Sequence, residues 1–246
     1  MTTRSDNTSH VTAAILLMTD GERPYAREAI ASVYGQTVRP QQIRVYVEHA
    51  NAWIDEMLRE FPGVEARRID LMPPGQVRNL AAREADSPWV AYLDGDDLWE
   101  PRKQASQLEV IEDGVALIGC DYYLMDATGR HRATAVCRHI PSASTWLARR
   151  ELMLECPFRK GWTFHDDSLW WETYRGWSFT SRVPELLSAY RMKSQSRSDG
   201  TPGKRRKLQV LRMVQMPGVG PFVKLATGLM HKAHRDDRYP APPAFR

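Results

Sequence analysis

Three aspartates, Asp94, Asp96 and Asp97, stand within four positions of the segment YLDGDDLWEP. If all three were ionised in a partly closed site they would repel one another, so a partner cation is expected. Mg²⁺ and Mn²⁺ prefer oxygen ligands and commonly join protein carboxylates to substrate phosphates. The cluster therefore favours a metal site that carries phosphates. A solvated acidic turn that caps the helix after Pro101 explains the same spacing.

A second acidic pair, Asp166 and Asp167, stands at the start of a predicted helix that ends at Gly176. A carboxylate that is ionised and within hydrogen-bond reach can accept the proton of an attacking hydroxyl group. Either aspartate could instead cap the helix, so spacing alone leaves both roles open. The tryptophans of this region are expected mostly in the core; they are Trp162, Trp170, Trp171 and Trp177.

Short apolar runs alternate with helical patterns around these residues, which is typical of a βαβ sheet. The run WVAYL (89–93) predicts a strand that leads directly into Asp94. Because open α/β sheets bind ligands at the carboxyl ends of their strands, this position favours a functional site. Other strands are predicted at 12–19, 43–49, 115–123 and after Gly176, and helices at 25–36, after Gly75 and from Pro101 to about Ile111. The turn DATG (126–129) predicts a hairpin or a mixed-sheet edge.

The stretch VRNLAAREADSPWVAYLDGDDLWEPRKQ resembles the central signature of family 2 glycosyltransferases with the GT-A fold. The matching positions, all in the correct spacing, are Arg78, Asn79, Ala82, Asp94, Asp96, Asp97, Trp99 and Pro101. The resemblance continues upstream in REAIASVYGQT and downstream in HDDSLWWETYRGWSF and VPELLSAYRM. It covers about residues 11–198 and implies an α/β fold of the GT-A (Rossmann-like) type, a mixed sheet flanked by helices.

The resemblance implies a nucleotide-sugar donor and assigns roles around it. Asp94 is expected to contact the donor's ribose, and Arg78 to face the nucleotide or diphosphate. Asp96 is expected to ligate a Mn²⁺ or Mg²⁺ ion that carries the diphosphate, with Asp97 supporting the metal shell. Such a metal stabilises the charge that develops on the leaving nucleoside diphosphate.

The resemblance also implies an inverting transfer, which needs a base opposite the leaving group. Asp167 matches the second acid of the family's Glu-Asp motif and is the expected general base. Two departures stand out. Asp166 occupies the position where the motif usually has Glu, and the second strand ends in Glu48 and His49 where family members usually have two aspartates. Glu48 is a candidate for the nucleotide-base contact or a solvated strand end, and His49 is assigned no role.

The charge distribution divides the chain into an acidic body and a basic tail. Of the net charge of +4, residues 204–246 contribute +8, which leaves −4 for residues 1–203. We expect a disordered N-terminus (1–10), a GT-A domain (11–198) and a basic, partly helical C-terminal extension (199–246). The extension is expected to form two short amphipathic helices that either lie on an anionic membrane or pack on the domain.

Composition narrows the function classes further. The acidic body and the absence of a nucleic-acid motif argue against a nucleic-acid partner. The apolar run ending at Met18 is too short to span a bilayer, so a cytoplasmic location, with peripheral contact at the inner membrane face, is expected. Cys120, Cys137 and Cys156 are widely spaced and are expected to be reduced and mainly buried.

The expected activity is transfer of a sugar to a saccharide or lipid-linked acceptor in cell-surface polysaccharide or lipopolysaccharide biosynthesis. No processive QxxRW motif is visible, which favours single addition. Two alternatives remain: a catalytically inactive sugar-nucleotide or glycan-binding module, and a basic-tailed membrane adaptor. The presence of Asp94, Asp96 and Asp167 speaks against the inactive module.

Overall fold

The computed structural model describes residues 10–137, 142–160, 166–174, 179–192 and 231–234. Within these ranges ten strands form one mixed sheet. The strands are β1 (Val11–Leu17), β2 (Gln42–Glu48), β3 (Val64–Ile69), β4 (Trp89–Asp94), β5 (Leu98–Trp99), β6 (Val115–Asp126), β7 (His131–Cys137), β8 (Leu147–Arg149), β9 (Phe179–Met192) and β10 (His231–His234). The helices are α1 (Arg23–Tyr34), α2 (Ile54–Leu58), α3 (Pro74–Glu84), α4 (Lys103–Glu109), α5 (Arg150–Glu155) and α6 (Asp166–Tyr174).

The sheet has a parallel half and a mixed half that meet at β4. Its main order is β3-β2-β1-β4-β8-β6-β7-β10, and β9 pairs with both β5 and β6. The first four strands of this order run parallel, whereas β8 is antiparallel to β4 and to β6. The carboxyl ends of β1, β2, β3 and β4 therefore lie along one edge, which confirms the predicted mixed α/β sheet.

Strand β1 lies between β2 and β4 in the parallel half, and every residue from Val11 to Leu17 is buried. A strand covered on both faces reads as a continuous apolar run rather than an alternating one. Its odd-numbered residues pack into one core and its even-numbered residues Ala14 and Leu16 into a second. The predicted strand at 12–19 is thus confirmed as the strand between two hydrophobic layers.

Two predicted helices cover these layers with the expected faces. In α1, Ala26, Ile30 and Val33 are buried, and the helix ends at Tyr34 with Gly35 as its C-cap. In α3, Val77 and Ala81 are buried. Both helices carry a proline in their first turn, where the ring does not remove a needed hydrogen bond.

Other predictions have mixed outcomes. The turn 126–129 joins β6 and β7 into the predicted hairpin, and α6 begins at Asp166 as predicted. The helix predicted from Pro101 begins two residues later, at Lys103, and is shorter than predicted. The predicted burial is confirmed for Trp170, Trp171, Cys120 and Cys156.

Several predictions fall outside the described part of the chain. They concern the N-terminus, Trp162, Gly176, Trp177 and, apart from β10, the basic extension. In the backbone, β10 pairs antiparallel with β7, so this short part of the extension is a strand, and it lies outside the two segments for which helices were predicted. No helix in the described ranges is long and apolar enough to cross a membrane.

Candidate active site

The acidic loop, residues 94–97, leaves the carboxyl end of β4 and is pressed against β1. The amide of Gly95 donates to the carbonyl oxygen of Leu16 at 2.8 Å. A Cβ atom at position 95 would clash with the Leu17 side chain and lie 2.7 Å from the Leu16 carbonyl oxygen. Glycine is therefore required here by the close approach of β1, and this approach fixes the loop's entry into the site.

Asp97 ends the acidic loop as a buried carboxylate with both oxygens occupied. Oδ1 accepts the backbone N–H of Arg191 at 2.9 Å, and Oδ2 accepts the hydroxyl of Ser144 at 2.7 Å. Burial, together with the charges of Asp96 and Asp94, raises the pKa of Asp97 well above its ordinary value, and the two hydrogen bonds oppose this rise. Asp97 is thus anchored within the protein.

Arg78 connects the acidic loop to the second acidic pair. It lies on the buried face of α3, where Nη2 donates to Asp94 Oδ1 at 2.6 Å and Nη1 donates to Asp166 Oδ2 at 2.8 Å. Burial opposes its charge, but the nearby carboxylates of Asp94, Asp166 and Asp167 raise the pKa of Arg78 above its ordinary value. The guanidinium therefore stays charged and holds the two acidic segments together.

The two aspartates at the start of α6 have different surroundings. Asp166 is buried in its ion pair with Arg78, and a Cβ atom at Gly75 would lie 2.8 Å from Asp166 Oδ2. Asp167 is only partly buried, and its Oδ1 accepts the backbone N–H of Ser168 at 2.7 Å. The structure therefore leaves Asp167, rather than Asp166, partly accessible to a ligand.

Two residues of β9 that the sequence did not single out complete the site. Burial and the carboxylates of Asp97, Asp96 and Asp167 raise the pKa of the Tyr190 phenol well above its ordinary value. Its phenol thus lies within the field of both acidic segments and stays protonated. The neighbouring residue, Arg191, donates from Nε to the carbonyl oxygen of Asp96 at 2.9 Å.

Arg191 also ties the acidic loop to α1. Its Nη2 donates to Glu28 Oε2 at 2.8 Å, and its guanidinium lies 4.5 Å from the ring centroid of Tyr25. A third donor, Nη1, reaches the carbonyl oxygen of Ala127 in the β6–β7 turn at 3.2 Å. One buried side chain thereby joins the loop, a helix and a turn.

Glu48 lies farther along the same edge. It is the last residue of β2, which is separated from β4 by β1, and it is partly exposed. The exposed His49 follows, with Nε2 4.0 Å from Asp70 Oδ1. Glu48 therefore lies on the same carboxyl edge of the sheet as the acidic loop, with one strand, β1, between β2 and β4.

The model of glycosyl transferase family 2 matches residues 14–170, which include the acidic loop, Arg78 and Asp166. The chain belongs to this family. No curated protein matches the sequence at a significant level.

Solved structures show the fold of this family 2 glycosyltransferase. It resembles S. aureus TarS 1-349 in complex with UDP-GlcNAc, with a TM-score of 0.62 and 14% identity over 87% of this chain and 69% of that chain. The complex of the same protein with UDP gives a TM-score of 0.58 at 14% identity, covering 87% and 68%. Another S. aureus TarS structure gives a TM-score of 0.57 at 16% identity, over 87% of this chain and 41% of that chain. The likeness confirms the GT-A fold.

The acidic loop offers the oxygen ligands that a family 2 glycosyltransferase would use for a divalent metal. Within the described ranges, no cluster of three or more metal-ligating side chains could hold an ion by itself. Mg²⁺ characteristically takes one or two carboxylates and completes its shell with substrate phosphates and water. A partly exposed Asp96 fits this mode, whereas Asp97 is buried with both oxygens hydrogen-bonded.

Proposed function

We propose that this chain transfers a sugar from a nucleoside diphosphate donor to a hydroxyl acceptor with inversion. The observation that carries the proposal is the double ion pair of Arg78, which brings the acidic loop and the start of α6 to one site. A donor-binding carboxylate and a candidate base must lie together for such a transfer, because the acceptor oxygen and the leaving group react at the same carbon.

The donor is proposed to bind along the carboxyl ends of the parallel strands. TarS is known in complex with UDP and UDP-GlcNAc, which makes UDP-sugars the first donors to test. We propose that Asp94 and Glu48 contact the nucleoside and that Asp96 ligates Mn²⁺ or Mg²⁺. When bound, the metal would stabilise the charge on the departing diphosphate. Asp97 is proposed to support the loop that presents Asp96.

Arg78 is proposed to act on the donor through its neighbours. Only 2% of its side chain is exposed, and its guanidinium is already engaged by Asp94 and Asp166. A side chain in this position orients two carboxylates more readily than it reaches a diphosphate. The sequence-based expectation that it faces the nucleotide stays a prediction.

Asp167 is proposed to be the general base. The alternative, Asp166, is buried against the Arg78 guanidinium, so its carboxylate is occupied in an ion pair. Asp167 stands next to it at the start of α6 and is partly exposed. A base must reach the acceptor hydroxyl, and this accessibility favours Asp167.

The test compares Asp167→Asn with Asp166→Asn in a nucleotide-release assay with UDP-sugars and Mn²⁺. Asn keeps the size of Asp but cannot accept a proton at neutral pH, so Asp167→Asn is expected to slow transfer by roughly 10²- to 10⁴-fold at unchanged Tm. Asp166→Asn is expected to lower Tm, because it removes a buried partner of Arg78. A larger rate loss in Asp166→Asn at equal stability would place the base one residue earlier.

Asp96→Ala is the corresponding test of the metal. It is expected to remove Mn²⁺-dependent UDP binding in calorimetry, because the proposed link between protein and diphosphate is lost. Equal affinity of variant and parent in the presence of Mn²⁺ would show that the metal binds elsewhere.

The basic extension is proposed to bring the enzyme to a lipid-linked acceptor of polysaccharide or lipopolysaccharide synthesis at the inner membrane face. Its excess of Lys and Arg favours anionic lipid surfaces. A chain that ends at Thr201 is then expected to stop co-sedimenting with anionic vesicles. Unchanged co-sedimentation would contradict this role.

A further inference from the structure

Ser144 lies beneath the acidic loop, in a short 3-10 turn formed by Ala143–Thr145. Its hydroxyl oxygen accepts the backbone N–H of Asp94 at 3.2 Å, and the hydroxyl donates to Asp97 Oδ2 at 2.7 Å. The first and last residues of the loop therefore meet at a single oxygen atom.

The position of this oxygen is fixed by the core. Ser144 is 2% exposed, and its own carbonyl oxygen accepts the indole N–H of Trp99 at 2.8 Å. Trp99 is buried as well, with the Lys103 ammonium 4.0 Å from its ring centroid. Because the core holds this turn in place, the Ser144 hydroxyl has a fixed position, and the acidic loop is hydrogen-bonded to it.

The loop is held from the other side by β9. The backbone N–H of Arg191 occupies the second oxygen of Asp97, and its Nε holds the carbonyl oxygen of Asp96. The proposed metal ligand, Asp96, lies between Gly95 and Asp97, and hydrogen bonds hold both of these residues in place. Without the Ser144 hydroxyl, Asp97 Oδ2 would lose a partner in a buried place and the Asp94 amide would lose one in a partly buried place.

We propose that Ser144 is a positioning residue for donor binding, whose hydroxyl sets the geometry in which the acidic loop presents Asp96 to the diphosphate and its metal. The proposal rests on the proposed function and adds to it a residue outside both acidic motifs. Side chains that orient metal ligands typically change metal affinity or activity by about 10- to 100-fold when they are removed.

The experiment compares Ser144→Ala with Thr145→Val. The matched control removes a buried hydroxyl from the same turn, but that hydroxyl donates to the Ser142 carbonyl oxygen and not to the acidic loop. Amide hydrogen exchange of a peptide covering residues 93–99 is measured in the free protein. Calorimetry then gives the affinities for UDP, GDP and dTDP with MnCl₂, and the kinetics give KM and kcat for the corresponding sugar donor.

Ser144→Ala is expected to speed exchange in this peptide and to weaken nucleotide binding by about 10- to 100-fold, with KM changing more than kcat. Thr145→Val is expected to match the parent in amide exchange, in nucleotide affinity and in KM and kcat. Unchanged exchange in Ser144→Ala would overturn the positioning role, whatever the affinity. Faster exchange with unchanged nucleotide affinity would overturn the link to donor binding.

The exchange measurement separates this proposal from the proposed function. If the parent bound none of the three nucleotides, the assignment of a nucleoside diphosphate donor would fail and the donor-binding role of Ser144 would fail with it. Faster exchange in Ser144→Ala would still show in that case that the hydroxyl holds the loop.

Discussion

Arg78 and Lys103 are two cations buried to the same extent, with opposite consequences. Arg78 has Asp94 and Asp166 within ion-pair distance, and its pKa is raised. Lys103 has the Gln107 amide oxygen at 2.8 Å and the Trp99 ring at 4.0 Å, and burial lowers its pKa to about 8. Both side chains lie within the family-matched region.

The difference shows what compensates a charge in the interior. A carboxylate partner keeps the guanidinium charged and makes it a structural connection between two segments. An amide oxygen and an aromatic face support an ammonium more weakly, so burial outweighs them. The first cation organises the site, whereas the second fills space beneath it and supports Trp99.

Replacing Arg78 should have the largest effect on stability. Arg78→Met keeps much of the apolar volume but leaves two carboxylates without their common partner. Breaking a buried ion pair in this way costs about 3–5 kcal/mol, and urea denaturation at pH 7 measures the loss. The double variant with Asp166→Asn is expected to recover part of it, since one stranded charge is removed. A loss as small as that of an exposed ion pair would refute the structural role of Arg78.

Replacing Lys103 with methionine is expected to raise the free energy of unfolding at pH 7, whereas replacing Arg78 with methionine lowers it. The gain from replacing Lys103 is also expected to depend on pH. The unfolded chain holds the lysine proton up to pH 10.5, whereas the folded protein releases it near pH 8. Between these values the unfolded state binds more protons, so parental stability rises with pH. The facing Cys120 thiol, whose pKa burial raises to about 12, stays neutral across most of this window.

Relative to Lys103→Met, the parent is therefore expected to gain about 3 kcal/mol in the free energy of unfolding from pH 7 to pH 10.5. The comparison with the variant cancels the titration of groups that the two proteins share. Urea denaturation at three or four pH values provides the curve. A difference that stays constant with pH would show that Lys103 titrates normally in the folded protein.

The sequence predicted elements whose apolar residues form one continuous run or one helical stripe, and it missed elements that lack such a pattern. Strand β1 is a continuous apolar run, and α1 has one apolar stripe, so both were predicted. Strand β3, VEARRI, was not predicted because it is a charged edge strand. Edge strands commonly carry such charges, and their backbone pairing with the next strand leaves no periodic apolar signal.

The same contrast holds within the candidate site. The acidic loop was predicted because its residues are contiguous and match a family motif. Ser144 and Arg191 were missed because they are 47 and 94 residues from Asp97, which both contact. Arg191 reaches Asp97 with its backbone N–H, a group that every residue except proline carries. Such contacts follow from the topology of the sheet rather than from a local pattern of side chains.

The smallest effect is expected at a third cation, Arg27, whose geometry looks as favourable as that of Arg78. Its Nη2 lies 2.6 Å from Glu60 Oε2, the same distance that separates Arg78 from Asp94. The side chains of Arg27 and Glu60 are, however, 67% and 47% exposed. Water solvates both charges when the pair is broken, and ordering two long side chains offsets the attraction. Arg27→Ala is therefore expected to leave the urea midpoint within experimental error, and added salt should not alter this result. A shift comparable to that of Arg78→Met would mean that distance, rather than burial, decides the strength of an ion pair in this protein.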